Sequence, residues 1–263
     1  MLADQQDCAI LVISSDRYSD LWDPFFHCFV KRWPKCPYKV YLGSNETKFE
    51  NGNGVETILS GPDRDWSSSF LSILSQIPEK YLFIFLEDFF PISDVSSDVM
   101  LEHFEYMKRN GINHMHDLYD SIPCDGYIDK TYGVYEKGAP YRVNVYGFWN
   151  KECLSKLLIE GENPWNFEIM GSYRSSYFDN FYSMLQSPFK IMNMVEKGRY
   201  FKSAVDYARE QGIPLKLDKR VVIDSKSNLL SLSKMKFFIL TNRISWRHRL
   251  KLMNTMRKIL SCY

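Results

Sequence analysis

The run Tyr81-Leu82-Phe83-Ile84-Phe85-Leu86 stops on Glu87-Asp88 and is closed by Phe89-Phe90-Pro91. Six apolar or aromatic residues in a row, ended by charge and then proline, have the length and continuity of a strand buried on both faces, which belongs at the centre of a parallel or mixed sheet. In open α/β sheets, ligands bind in the crevice at the carboxyl ends of the strands. A rigid element would therefore deliver Glu87 and Asp88 to that crevice. An acidic turn that merely closes a core strand is the competing account.

The flanking sequence supports a sheet. Cys8 to Ile13 form a short apolar run before the polar Ser14-Ser15-Asp16. Asp20 or Asp23 can cap a helix that takes Pro24 into its first turn, repeats Phe25, Phe26, Phe29, Val30 and Trp33 at helical spacing, and stops at Pro34. Further strands are expected over residues 38–42 and 55–59. Asp65 can cap a helix over 67–77 that places Trp66, Phe70, Leu71 and Leu74 on one face. This β-α-β-β-α-β order predicts an α/β fold: a Rossmann-like, mixed and mostly parallel sheet with helices on both faces. Beyond it, helices are expected at 97–109 and 151–159, a strand at 141–149, and irregular structure with one short strand at 112–141. No pair among the five histidines has ligand spacing, and His114 and His116 read as solvated side chains of that irregular segment.

Composition bounds the function. With 263 residues, 45% of them hydrophobic and 16% aromatic, the chain can bury one substantial core, here residues 1–225, with an appendage at 226–263. The six cysteines form no C-x-x-C pair, so neither a zinc site nor a disulfide framework is indicated, and they read as the reduced thiols of a cytoplasmic protein. The start of the chain has neither a basic n-region nor an apolar core of signal-peptide length. The net charge of +1 conceals an asymmetry: residues 225–263 carry nine basic side chains and no acid, leaving 24 basic against 32 acidic residues elsewhere. Within that tail, Arg243, Arg247, Lys251 and Lys258 can share one side of a helix and Trp246, Leu250, Met253, Met256 and Leu260 another. The pattern suits the interface of an anionic membrane, or a helix packed on the domain. Nucleic acid is not expected, since no recognised binding motif accompanies the charge.

A second acidic constellation, Glu162-Asn163-Pro164-Trp165-Asn166-Phe167-Glu168, follows the predicted helix at 151–159. Together with Ser15-Asp16-Arg17-Tyr18-Ser19-Asp20-Leu21-Trp22 and Leu86-Glu87-Asp88-Phe89-Phe90, it resembles the GT-A class of nucleotide-sugar glycosyltransferases. More closely, it resembles the bacterial enzymes of capsule, lipopolysaccharide and exopolysaccharide clusters, over about residues 8 to 200. The resemblance implies transfer of a sugar from a nucleotide-diphosphate donor to a saccharide acceptor, lipid-linked and on the inner face of the cell membrane, with inversion. It implies that Asp88 meets Mn²⁺ or Mg²⁺ as the last acid of an Asp-x-Asp motif, with Glu87 beside it. Leu86 stands where the first acid would be, so a basic side chain such as Arg142, Arg174 or Lys197 is the alternative partner for the phosphates. Ser14, Ser15, Asp16, Tyr18 and Asp65 are expected at the nucleotide and Arg142 at the donor. Glu168 is expected as the general base with Glu162 in reserve, and Trp165 and Arg174 are expected at the acceptor. A nucleotidyltransferase is a competing reading, although Ser14-Ser15-Asp16-Arg17 lacks the glycines of its usual phosphate loop. So is a non-catalytic carbohydrate-binding protein, which would need neither acid.

Overall fold

In the computed structural model the first apolar run forms β1 (Cys8–Ile13), buried along its whole length. The residues described are 7–50, 54–118 and 122–223, with Arg247, His248, Lys251 and Thr255; the amphipathic basic helix expected near the carboxyl end otherwise lies outside them. A 3-10 turn over Asp16–Leu21 leads into α1 (Trp22–Arg32), then β2 (Lys39–Ser44) and β3 (Val55–Leu59). α2 (Trp66–Gln76) starts where Asp65 accepts the Ser68 amide, and β4 (Tyr81–Leu86) follows. Glu87 and Asp88 make the turn to β5 (Phe89–Pro91), and Ser96 caps α3 (Ser97–Arg109). Next come β6 (His114–His116), β7 (Gly126–Tyr127), β8 (Tyr132–Val134), β9 (Gly147–Asn150), α4 (Lys151–Leu157) and, after a helical stretch at 164–177, β10 (Phe181–Met184). The described chain finishes with β11 (Ile191–Asn193), a hairpin of β12 (Val195–Glu196) and β13 (Arg199–Tyr200), and α5 (Lys202–Gln211), closed by Gly212 at φ 69°.

The main sheet has the order β3-β2-β1-β4-β9-β6-β10-β8-β7. β3, β2, β1 and β4 are mutually parallel, and β9 runs against both β4 and β6. The sheet is therefore mixed, and β4 sits between its parallel half and the reversed strand. This position explains the unbroken apolar run. Successive side chains of a strand point to opposite faces: Tyr81, Phe83 and Phe85 join the core with Phe25, Phe29 and Phe104 of α1 and α3, while Leu82 and Ile84 join Phe70, Ile73, Leu154 and Leu157 of α2 and α4. Each fully buried side chain of this size stabilises by about 2 kcal/mol.

Two expectations fail in the second half. Residues 112–141 hold three short strands instead of one, and β6 lies inside the sheet with His114 and His116 fully buried. His114 stacks on Trp149 at 3.8 Å and bonds the Phe148 carbonyl through Nδ1 at 2.8 Å. His116 bonds the Arg142 carbonyl through Nε2 at 2.9 Å and Asn144 through Nδ1 at 3.0 Å. Burial pushes both imidazoles down, His116 to about 4, so they fill the core as neutral rings. The strand expected at 141–149 shortens to β9 because Tyr141 turns at φ 53° and the Arg142 side chain anchors the segment elsewhere.

Since β6 is parallel to β4, its carboxyl end brings Asp117 to the same sheet edge as Glu87 and Asp88. Asp117 accepts the Tyr146 hydroxyl at 2.8 Å, and burial pushes its carboxyl up to about 7. Between the ordinary carboxylate range and that value the folded state holds a proton that the unfolded state has lost, so stability falls as pH rises through this window. Each pH unit of displacement is equivalent to about 1.4 kcal/mol. Asp117→Asn keeps an acceptor for Tyr146 and should flatten the pH dependence of the urea midpoint between about pH 4 and 7 and raise it above pH 7. A slope unchanged from wild type would refute this assignment.

Candidate functional site

A cavity of about 430 Å³ opens at the carboxyl edge of the parallel half-sheet. Its floor is the end of β1 and β4: Ile13, Ser14 and Ser15 beside Leu86, Glu87, Asp88 and Phe89. Tyr18, Trp66, Trp165 and Glu168 line it too, as do Asn193, Val195, Glu196 and Lys197. The early Tyr-x-x-Leu-Trp segment acquires a physical meaning here. Its Tyr18 lines the cavity, Leu21 is buried, and the Trp22 indole N–H donates to the Ser14 hydroxyl at 2.8 Å, fixing that serine at the cavity floor. The Ser14 hydroxyl also reaches the Glu87 carboxyl.

Burial favours the protonated forms of the acidic pair. Burial pushes Asp88 up to about 7 and Glu87 well above its ordinary range, Asp88 adding to the effect on Glu87, while the Arg220 guanidinium pulls the other way. Arg220 was not anticipated. It is buried, pairs with both carboxylate oxygens of Asp20 at 2.7 Å, and lies 4.3 Å from the centre of the Tyr18 ring. No local pattern announces a pairing across 200 residues.

Glu168 reaches the cavity through an irregular helix. Asn163 caps it by accepting the Asn166 amide at 2.9 Å, Pro164 takes the first position, and residues Phe167–Gly171 form a π turn. Such turns recur at functional sites because the extra residue rotates one side chain out of the regular helical phase. Here Phe167 stays in the core, 5.6 Å from Trp66 and 6.3 Å from Trp149 between ring centres, while Glu168 faces the cavity. Burial raises its carboxyl to about 7, opposed by a hydrogen bond from the Val145 backbone. Trp165 remains 66% exposed at the mouth.

Ser14, Ser15, Tyr18, Glu87, Asp88, Trp165 and Glu168 thus converge, and five other expected residues do not line the cavity. Asp16 accepts the amides of Asn45, Glu46 and Thr47 at 3.1–3.3 Å, bracing the loop after β1 against the loop after β2. Asp65 caps α2 and also accepts the Gly161 amide at 3.0 Å. Glu162 is held by Arg174 in a two-point ion pair at 2.6 and 2.9 Å, and Arg174 also donates to the Leu157 carbonyl, so the reserve base and the acceptor arginine satisfy each other. Arg142 is buried, donates to the carbonyls of Tyr135, Ser175 and Phe178, and lies 4.1 Å from the Phe181 ring centre. Burial lowers it to about 10. Of the three basic candidates for the phosphates, only Lys197 borders the cavity, at the tip of the β12–β13 hairpin with φ 50° before Gly198 at φ 78°. Consecutive positive φ values suit the primed turn of a two-residue hairpin.

The carboxyls that burial has pushed up would be relieved by a cation. Among the described residues no group of three or more His, Cys, Asp or Glu is arranged to hold a metal. Magnesium is commonly held by one or two carboxylates with substrate phosphates and water completing the shell. Asp88 and Glu87 fit that arrangement.

No protein-family model matches the chain, and no curated protein does. Solved structures resemble it distantly. UDP-glucose pyrophosphorylase, complexed with UDP-glucose, is 9% identical with a TM-score of 0.47, over 71% of this chain and 92% of that one. A197 from STIV is 13% identical with a TM-score of 0.41, over 72% and 86%. The 1–349 fragment of S. aureus TarS is 9% identical with a TM-score of 0.41 over 67% of this chain, which spans 60% of that fragment.

Two of the three basic candidates, Arg142 and Lys197, should behave oppositely. Arg142→Met strands several buried carbonyls and should lower the unfolding free energy by on the order of 3 kcal/mol in denaturant titration. The exposed Lys197→Met should stay within about 0.5 kcal/mol of wild type.

Proposed function

We propose that the protein is a glycosyltransferase that moves a sugar from a nucleotide-diphosphate donor to a saccharide acceptor. The observation that supports this reading best is that two separate acidic elements line one cavity: Glu87 and Asp88 at the end of β4, with Ser14, Ser15, Tyr18 and Trp66, and Glu168 with Trp165 on the helical stretch at 164–177. The slot at the end of β1 suits a nucleotide, whose base would lie against the aromatic walls with its ribose near the serines. The diphosphate then falls beside Asp88. A divalent cation held by Asp88 and Glu87 would offset the charge that grows on the leaving group. Lys197 approaches the same place from the hairpin and supplies positive charge of its own.

On the acceptor side, Glu168 removes the proton of a sugar hydroxyl as that oxygen attacks the anomeric carbon. Attack from the face opposite the departing nucleoside diphosphate inverts the configuration. Trp165 gives the acceptor ring an apolar platform. A carboxylate titrating near neutrality is well matched to this duty, because a base works best when its pKa lies near the working pH. No helix of the described residues is long and apolar enough to cross a membrane. The basic segment at 226–263 would bring a lipid-linked acceptor of a surface polysaccharide within reach by attraction to anionic headgroups on the inner face of the cell membrane.

Calorimetric titration with nucleoside diphosphates, with and without Mn²⁺, should detect binding that Asp88→Asn weakens and Glu168→Gln leaves intact, while Glu168→Gln lowers turnover at least a hundredfold. Absence of any nucleotide binding would sink the proposal. Wild-type kcat/KM should rise with pH through about 7 as Glu168 ionises, and a pH profile lacking that limb would remove Glu168 as the base.

A further inference from the structure

The helical stretch at 164–177 has a second face that the transfer chemistry does not use. Phe167, Gly171, Ser172 and Ser175 turn inward and are buried. Trp165, Ile169, Tyr173 and Tyr177, one per turn, face outward with exposures of 66%, 45%, 62% and 89%, and Met170 lies beside them. At the helical rise, twelve residues carry this strip about 18 Å from the cavity mouth. A contiguous exposed apolar surface of this kind marks a place where something binds.

Resting on the transferase reading, we infer that the strip Trp165-Ile169-Tyr173-Tyr177 is the extended binding site for an uncharged, linear oligosaccharide acceptor, whose terminal sugar sits between Trp165 and Glu168. Three observations select this occupant. The strip begins inside the cavity, since Trp165 and Glu168 both line it, so a chain lying along it is already in register with the proposed base. Its charges are committed: Glu168 faces the cavity, Arg174 is held by Glu162 and the Leu157 carbonyl, and Lys137, brought near Ser176 by the Gly138 amide, is paired with Asp179 at 2.7 Å. An anionic surface or polymer would find no unpaired cation among these described residues. Its large side chains are aromatic with polar tips, and the Tyr173 and Tyr177 hydroxyls have no hydrogen-bond partner among the described residues. Sugar rings present apolar C–H faces bordered by hydroxyls, the complement of an aromatic face with a phenol at its edge. The acceptor is therefore an oligomer recognised over several units, with the residues beyond the first contributing affinity without chemistry.

The test uses the whole chain with Tyr173→Ala and Tyr177→Ala, singly and together; both positions are exposed, and unchanged melting curves verify the fold. The probes are neutral gluco- and galacto-oligosaccharides of increasing length, followed by calorimetry in the presence and absence of UDP. Wild type should bind longer oligomers more tightly, and each substitution should weaken the longest by roughly fivefold to tenfold, leaving monosaccharide and UDP affinities unchanged. Length-independent binding, no binding to any oligomer, or a length effect that survives the double substitution would overturn the strip while leaving the transferase reading to its own nucleotide test. Tyr173- and Tyr177-dependent binding to uncharged phosphatidylcholine vesicles in place of the oligomers would also overturn it, in favour of a lipid surface. Length-dependent glycan binding without any nucleotide binding would support the strip as a glycan site and sink the transferase reading.

Discussion

Placing two carboxylates at the end of a strand that is otherwise wholly apolar is expensive, and much of the surrounding architecture answers that cost. β4 needs cover on both faces, and the covering layers bring low-dielectric material up to the point where Glu87 and Asp88 emerge. Their carboxyls respond by holding protons to higher pH than usual. The edge meets this charge with position more than with direct pairing. Arg220 stands near enough to favour the ionised forms while its own hydrogen bonds go to Asp20 and the Arg17 carbonyl. The Met194 amide ties the hairpin strap to the Asp88 carbonyl at 2.8 Å, so the strap carrying Lys197 is indexed to the acidic turn itself. Lys197 therefore borders the cavity at the tip of a hairpin anchored to the acidic turn.

The two buried arginines show opposite solutions to the same difficulty. Arg220 is compensated by a carboxylate in two-point geometry, the strongest form of charge-assisted bonding. Arg142 has no ion pair among the described residues; carbonyls, the Ser175 hydroxyl and an aromatic face surround it, and burial lowers its pKa. Its work is architectural: it gathers the ends of segments around 135, 175 and 178, and so fixes the far end of the helical stretch that carries Glu168.

The parts of the chain legible in sequence are those where periodicity lasts. β1, β4, α1 and α2 are long enough for burial on one or two faces to show, and Asp65 leaves a recognisable cap. β6, β7 and β8 have two or three residues each, too few for any alternation to register, and their existence depends on pairing with strands distant in sequence. Asp16, Asp65 and Glu162 expose a different ambiguity. A carboxylate that caps a helix or braces a loop accepts amide or guanidinium N–H groups, and such an acid, placed near the end of a strand, looks the same in sequence as one waiting for a ligand. Only the three-dimensional partners separate Asp16, occupied by three backbone amides, from Asp88, which lines the cavity.

The π turn resolves what would otherwise be a conflict at Glu168. In a regular helix each residue advances by roughly 100°, and a helix that buries Phe167 and Ser175 against the core would carry Glu168 toward its flank. The widened turn between Phe167 and Gly171 lets Phe167 remain wedged between Trp66 and Trp149 while the next side chain enters the cavity. The stretch is pinned by the Glu162–Arg174 pair and by Ser172, whose hydroxyl accepts the Val143 amide at 3.0 Å. The separation of Glu168 from Asp88 is thus set by core packing and ion pairing rather than by a loop. The same packing leaves the outer face of the helix, with Trp165, Ile169, Tyr173 and Tyr177, exposed.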